Sequence, residues 1–327
     1  MAKDHYIAQT YLKHFGDANL GGMLHAYRKS GVPTYFRCWP QDVCHEWDGD
    51  LNPGFLSHRP ELLGDFRRMC EPNWNQSIES LLLGKKIPDH DRFAISAYFA
   101  NLMTCTPAWR RVGVAIYNRQ LAGDMSFNKK MHEKHGHMPD LPVEAIEMME
   151  RGEITIHTDP DYIKAVVTRG LLEHACMMYN QNWTVLNNDT DQPFITSDNP
   201  VAILYSGNVG EPVTRFLPVT PRICLSVTYD ISRINLINTQ DHSFDFLKPS
   251  LGNTTYAKVN PTGARYVNRL VAMCAEDMAF SSAALSGMEG LVKRYAKYGI
   301  DADYVELPTG EADSIYQGSI IVVHERP

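Results

Sequence analysis

Two short segments carry side chains whose types and spacing suit chemistry. The first is His5-Tyr6-Ile7-Ala8-Gln9-Thr10-Tyr11-Leu12. On a helix, His5, Gln9 and Tyr6 would share one polar-aromatic edge, because residues three to four apart are neighbours. Such an edge can donate and accept hydrogen bonds toward a substrate or ion, and His5 can shuttle a proton. The competing reading is an N-terminal helix whose polar groups satisfy loop carbonyls. The second segment is Phe194-Ile195-Thr196-Ser197-Asp198-Asn199-Pro200-Val201. A strand ending at Thr196 and a tight turn after it would present Asp198 at a strand-to-loop boundary, where carboxylates commonly enter clefts. Asp198 is therefore a candidate metal ligand or general base, with Asn199 beside it as a substrate contact. The alternative is an Asx-turn in which Asp198 caps its own backbone. Glu46, between His45 and Trp47, gains interest only in company. Together, Glu46 and Asp198 are the residues to hold a divalent ion.

Other motifs fail on spacing. Gly84-Lys85 lacks the leading glycine of a phosphate-binding loop, because Glu79 stands there, and Ala284 breaks a nucleophile elbow around Ser286. No GxGxxG is present. His132-Glu133-Lys134-His135-Gly136-His137 lacks the four-residue histidine spacing of a zincin helix, and the polar stretch 128–140 reads as an exposed loop. Seven scattered cysteines without a CxxC pair read as reduced thiols.

The elements that must position these residues are helices first and strands later. His5–Phe15 suits a short helix or a strand-turn-helix entry. Met23–Arg28 and Pro33–Arg37 alternate like two strands joined at Lys29-Ser30-Gly31. Helical spacing follows over Pro60–Cys70 (Leu62, Leu63, Phe66 and Met69 on one face), Asn73–Leu83, Asp89–Met103, a segment starting at Pro107, Pro142–Arg151 and Asp161–Gln181. Beyond Trp183, short runs predict strands at Trp183–Leu186, Pro193–Thr196, Ala202–Tyr205, Arg215–Pro218 and Ile223–Val227. A helix is expected over Thr262–Glu276, a strand over Met278–Ser281, a helix over Met288–Tyr298 and a strand over Ser319–Val323. Helices before strands predict an α+β fold with a mostly antiparallel sheet.

The 327 residues are 44% hydrophobic and 21% charged, a globular composition, with a formal charge of −7. A net-acidic chain is a poor non-specific nucleic-acid binder, so a nucleic-acid or small-molecule substrate is expected in a local pocket. No stretch approaches the roughly 18 apolar residues of a membrane span, and no apolar leader opens the chain. A cytoplasmic protein with no membrane partner is the expectation.

These segments together resemble the DUF4238 family of bacterial domains. The opening is similar to that family's HYxxQxYLxxF start, Glu46 falls at an acidic position after the first strands, and Asp91–Arg111 resembles its central helix with the Thr106-Pro107 step. Phe194–Val201 resembles the F-x-T-S-D-N-P-V signature, the most specific part. Phe216–Pro221 is similar to a FPLSP strand, and Asn268 resembles an asparagine on a late helix. The resemblance runs from about 5 to 282 and implies one α+β domain with a helix-strand extension over 283–327. Leu102 and Cys105 stand where the family often has Gln and Arg, so Arg110 and Arg111 are the substitute cations for a phosphate or carboxylate. Some members occur in anti-phage settings, which implies an intracellular effector.

Three functions stand as alternatives. In a hydrolase of nucleic acid or nucleotides, His5, Gln9, Glu46 and Asp198 converge as catalytic groups. Glu46 and Asp198 hold the metal, and Tyr6, Arg110, Arg111, Asn199 and Asn268 contact substrate. In a sensor, the 14 methionines form an adaptable surface for a protein or small ligand. In a purely architectural reading, His5, Asp198 and Asn268 hold the terminal segment to the sheet by buried hydrogen bonds.

Overall fold

Residues with fixed turn chemistry mark where helices start. Asp159 and Asn260 each accept a backbone N–H of the first turn, and Pro160 and Pro261 follow them at the first helical position. The computed structural model describes residues 2–51, 61–84, 86–135, 142–155, 157–204, 213–230, 249–308 and 315–326. The chain enters through β1 (Lys3–His5) and α1 (Gln9–Lys13), then β2 (Leu24–Arg28), β3 (Tyr35–Cys38) and β4 (His45–Trp47). A helical layer comes next: α2 (Leu62–Cys70), α3 (Trp74–Leu82), α4 (Asp89–Thr104), α5 (Pro107–His135), α6 (Val143–Glu150) and α7 (Pro160–Asn180). Then come β5 (Asn182–Asn187), β6 (Thr196–Ser197), β7 (Ala202–Leu204), β8 (Thr214–Thr220), β9 (Ile223–Thr228) and β10 (Thr254–Lys258). The chain ends with α8 (Pro261–Cys274), β11 (Met278–Ser281), α9 (Met288–Arg294), β12 (Tyr298–Pro308) and β13 (Ile315–Glu325). The fold is α+β.

A five-stranded sheet runs β10-β5-β9-β8-β7, antiparallel except for β10 beside β5. A four-stranded antiparallel sheet runs β3-β2-β11-β6, and β1 pairs with β4. β12 and β13 form a two-stranded ribbon. One apolar cluster joins α1, α3, α4 and α7 to Trp183, Val185, Leu217 and Leu225. A second gathers Phe194, Ile195, Val267, Val271, Val292 and Ile300. Strand alternation feeds both clusters, with Leu24 and Ala26 facing the first and Tyr27 the second.

α4 is buried almost all round, including Asp91 and Arg92. Ser77 and Ser80 hydroxyls donate to Asp91. Arg92 donates to the carbonyls of Tyr179 and Gln181 and to Thr254 Oγ1, and its guanidinium lies 4.0 Å over the Trp183 ring. It thereby ties the end of α7 to β10. Gly252 approaches the Gln181 carbonyl so closely that any Cβ would collide.

The structure corrects several expectations. On α2 the buried residues are Leu63, Gly64, Arg67 and Cys70, whereas Met69 is 51% exposed. The stretch 128–135, expected as loop, continues α5; residues 136–140 lie outside the described residues. The strand expected over Pro193–Thr196 is reduced to Thr196–Ser197. The helix after Met288 stops at Arg294, and Tyr298 instead opens β12. Of the predicted Ala202–Tyr205 strand, Tyr205 lies outside the described residues.

Candidate functional site

Most signature residues are spent on internal hydrogen bonds. Asp198 is 4% exposed, and its two carboxylate oxygens accept the backbone N–H groups of Glu276 (2.8 Å), Asp277 (2.7 Å) and Met278 (2.9 Å). It holds the turn between α8 and β11, not its own backbone. Burial pushes its carboxyl up to about 6, against the pull of those three donors and of Lys29. Lys29, also buried, donates to the carbonyls of Met273, Ala275 and Tyr298, and burial lowers its ammonium to about 8.

Asn199 accepts from Thr106 Oγ1 (3.0 Å) and donates to the Cys274 carbonyl (2.8 Å). Asn268 accepts from Ile195 N (3.0 Å) and donates to the Pro193 carbonyl (2.9 Å). Tyr11, fully buried, donates to the Pro218 carbonyl (2.6 Å) and lies 2.7 Å from Thr196 Oγ1. The motifs therefore lock α1, the Thr106-Pro107 step, α8 and two sheets together.

A cleft lies beside this hub. Tyr6, Glu46, Arg67, Cys105, Arg110 and Lys164 line it. Each comes from a different element or junction: Glu46 from β4, Arg67 from α2, Arg110 from α5 and Lys164 from α7, with Tyr6 just after β1 and Cys105 just after α4. Arg110 pairs with Glu46. Arg67, 5% exposed, pairs with Asp50 and donates to Asn101 Oδ1 at 3.2 Å. Lys164, 8% exposed, donates to the Leu51 carbonyl.

Burial lowers the Lys164 ammonium, and Arg110 and Arg67 lower it further while Asp161 and Glu46 oppose them. The Tyr6 hydroxyl is hydrogen-bonded with Cys44, and burial with nearby Cys44, Asp198 and Glu46 raises its pKa, so it remains a phenol at neutral pH. The Cys105 thiol is raised by burial, although all three cations pull it down.

β4 is bracketed by two non-glycine residues in the left-handed region, Cys44 at φ 55° and Asp48 at φ 51°. That conformation is costly for side chains other than Asn and Asp, and such costs gather at functional sites. Here it aims Glu46 into the cleft between two reversed backbone positions.

The structure brings Tyr6, Glu46 and Arg110 together and leaves the other candidates elsewhere. His5 lies 3.2 Å from the Gln41 carbonyl, with its ring 5.6 Å from that of His45, and burial lowers its pKa. Gln9 opens α1. Neither lines the cleft. Arg111 turns away: its Nε and Nη2 hold the Glu276 carboxylate at 3.0 and 3.2 Å, and Nη2 also donates to the Ile300 carbonyl.

The expected metal pair does not fit a divalent ion. Asp198 already takes three N–H groups, Glu46 faces a guanidinium, and no group of three or more His, Cys, Asp or Glu converges among the described residues. Arg67 and Lys164 were not singled out from the sequence. The available signal was a cation on a buried helix stripe, at Leu63-Arg67-Cys70 and at Lys164-Thr168-Leu171.

An α+β protein with a mixed-charge cleft beside a buried motif hub is thus the class that fold and site define. Residues 3–284 match the family model described as "Protein of unknown function (DUF4238)", and the chain belongs to that family. Comparison with curated proteins and with solved structures finds no match. Among the described residues no helix is long and apolar enough to cross a membrane.

Proposed function

We propose that this protein takes the phosphate of a nucleotide or nucleic-acid end into the cleft at Tyr6, Glu46, Arg67, Arg110 and Lys164, and hydrolyses it. The observation that supports this reading is the convergence of three cations from three helices around one small cleft. Glu46 and Asp50 occupy the guanidinium groups of Arg110 and Arg67 in the free protein. An incoming phosphate oxygen exchanges with Glu46 on Arg110 and makes a charge-assisted contact in its place. The displaced Glu46 carboxylate then takes a proton from water as the water oxygen bonds to phosphorus and the phosphorus–oxygen bond to the leaving group breaks, and it passes that proton to the departing oxygen. Tyr6, still a phenol, donates to a phosphoryl oxygen. A bacterial, intracellular setting in phage defence belongs to the same proposal and rests on the family resemblance alone.

Titration with nucleoside monophosphates and with inorganic phosphate, read by calorimetry and by product release, tests the reading. Arg110→Met is expected to weaken binding about 10- to 100-fold, the equivalent of one hydrogen bond to a charged group. Glu46→Gln is expected to keep binding and lose turnover. Binding without product in the wild type would instead make the protein a sensor, a reading favoured by the apo ion pairs that a ligand must break. Absence of any phosphate binding would overturn both.

A further inference from the structure

A second polar constellation sits on the four-stranded sheet, built from residues that do not line the cleft. His25, on β2, is 2% exposed. Its Nε2 lies 2.9 Å from Asp17 Oδ2 and its Nδ1 lies 2.8 Å from the Tyr35 hydroxyl. The chemistry of the partners fixes the direction of this chain. The Asp17 carboxyl is held below its ordinary value, first by its hydrogen bond with His25 and then by the Asn19 backbone, so it is an acceptor only. Nε2 must then carry the proton. In the neutral imidazole Nδ1 is a lone pair, and the Tyr35 O–H donates to it across 2.8 Å. The order is carboxylate, imidazole, hydroxyl, which is the arrangement that activates a hydroxyl nucleophile.

The surroundings hold this geometry and point to the class of electrophile. The His25 and Tyr35 rings are nearly parallel, 14° apart with centroids at 6.0 Å, and Tyr27 supports Tyr35 at 5.2 Å. Tyr35 lies on β3, the edge strand of its sheet, and is only partly buried. Arg37 is directly opposite His25 in the β2–β3 register and two residues beyond Tyr35, so it shares their face, and it is exposed. A cation on the same strand face as a base-paired phenol suits an electrophile whose oxygens carry negative charge.

We propose that Asp17, His25 and Tyr35 form a base-activated tyrosine centre that takes a phosphoryl group from a phosphate ester held beside Arg37. The Tyr35 oxygen bonds to phosphorus as the bond from phosphorus to the leaving alcohol breaks. The phenolic proton passes to His25 Nδ1 and then to the departing alkoxide. Attack of water on the phosphotyrosine, with His25 again taking a proton, releases phosphate and restores the phenol. Asp17 is a positioning residue that keeps the proton on Nε2.

The test uses the full chain and an anionic aryl ester, 4-nitrophenyl phosphate, with nitrophenolate release followed by absorbance and the adduct, trapped by rapid quenching, located by peptide mass spectrometry. The expected result is phosphoryl transfer to Tyr35 ahead of the exposed Tyr162 and Tyr266, which are 41% and 36% accessible. Tyr35→Phe should abolish the fast phase. His25→Gln should slow it about 100-fold, the lower end of general-base contributions, and Asp17→Asn should shift its pH profile. Modification of Tyr35 no faster than of Tyr162 in the wild type would overturn the proposal, and that comparison stands even if His25→Gln fails to fold. An unchanged rate in a folded His25→Gln protein would do the same and leave the chain as a structural tie.

Discussion

At the scale of single residues, Asp198 shows how a signature carboxylate can be committed to the fold, since both its oxygens accept backbone N–H groups. Asp198→Ala leaves three backbone N–H groups buried without an acceptor. At about 1–3 kcal/mol for each unmet group, a loss of about 3 kcal/mol or more in the urea unfolding free energy is expected. The pH dependence carries a definite sign. Burial raises the folded carboxyl from 3.8 to about 6, so the folded state holds that proton more tightly than the unfolded chain does. Its contribution to stability is fully present below pH 3.8 and is lost as pH rises through about 6. Wild type should therefore lose stability relative to Asp198→Asn, whose side chain stays neutral, as pH rises through that window, with the two urea midpoints closest below pH 3.8; a difference independent of pH would refute the assignment. Of the candidate cleft, Tyr6, Glu46 and Arg110 were legible in the sequence because they stand in or beside recognisable motifs. Arg67 and Lys164 were not, because a cation on a helix reads as solvated until its helix face is known to be buried. The motif residues Asn199 and Asn268 looked like substrate contacts, yet their amides already donate and accept internally. Composition cannot distinguish an amide facing a ligand from one facing a carbonyl.

At the scale of elements, periodicity located the helices well and the paired strands moderately. β10 escaped because Thr254–Lys258 is an edge strand whose alternation is diluted by exposure on both faces. β12 escaped because Tyr295 and Tyr298 extend the helical spacing of α9 past its end at Arg294. α5 outran its expected length because a polar, histidine-rich stretch can stay helical when its first turns are anchored, here by buried Ala108 and Val112. The short α1 has too few residues to be stable alone, so its docking through Tyr11 must supply its stability. Tyr11→Phe removes both contacts to β8 and β6 while keeping the ring. It should lower stability by about 1–3 kcal/mol, and α1 amides should lose hydrogen-exchange protection before the sheet does. The strand β4 makes a different prediction. Asp48 is in the left-handed region and accepts the Ala2 N–H. Asp48→Ala should cost about 1–2 kcal/mol, whereas Asp48→Asn should be nearly neutral, as read by thermal midpoint.

At the scale of the whole molecule, the family match ends at residue 284, yet the C-terminal residues beyond it are built into the core. Ile300 and Val292 are fully buried in the second apolar cluster, and Arg326 and Arg111 share the Glu276 carboxylate. Removing residues beyond 284 should strip one face of that cluster and yield aggregated protein in size-exclusion chromatography; a soluble, cooperatively unfolding truncation would contradict this. The four-stranded sheet has a further consequence, one of time. β2 and β11 pair with Arg28 opposite Met278, positions about 250 residues apart. A ribosome adding roughly 5–20 residues per second leaves β2 without its β11 partner for about 10–50 s, with only β3 available to pair with it. Nascent chains of this protein therefore carry β2 short of one partner through most of their synthesis. A holding chaperone, or slow pairing imposed by such distant contacts, should govern its yield in the cell more than the stability of the finished fold.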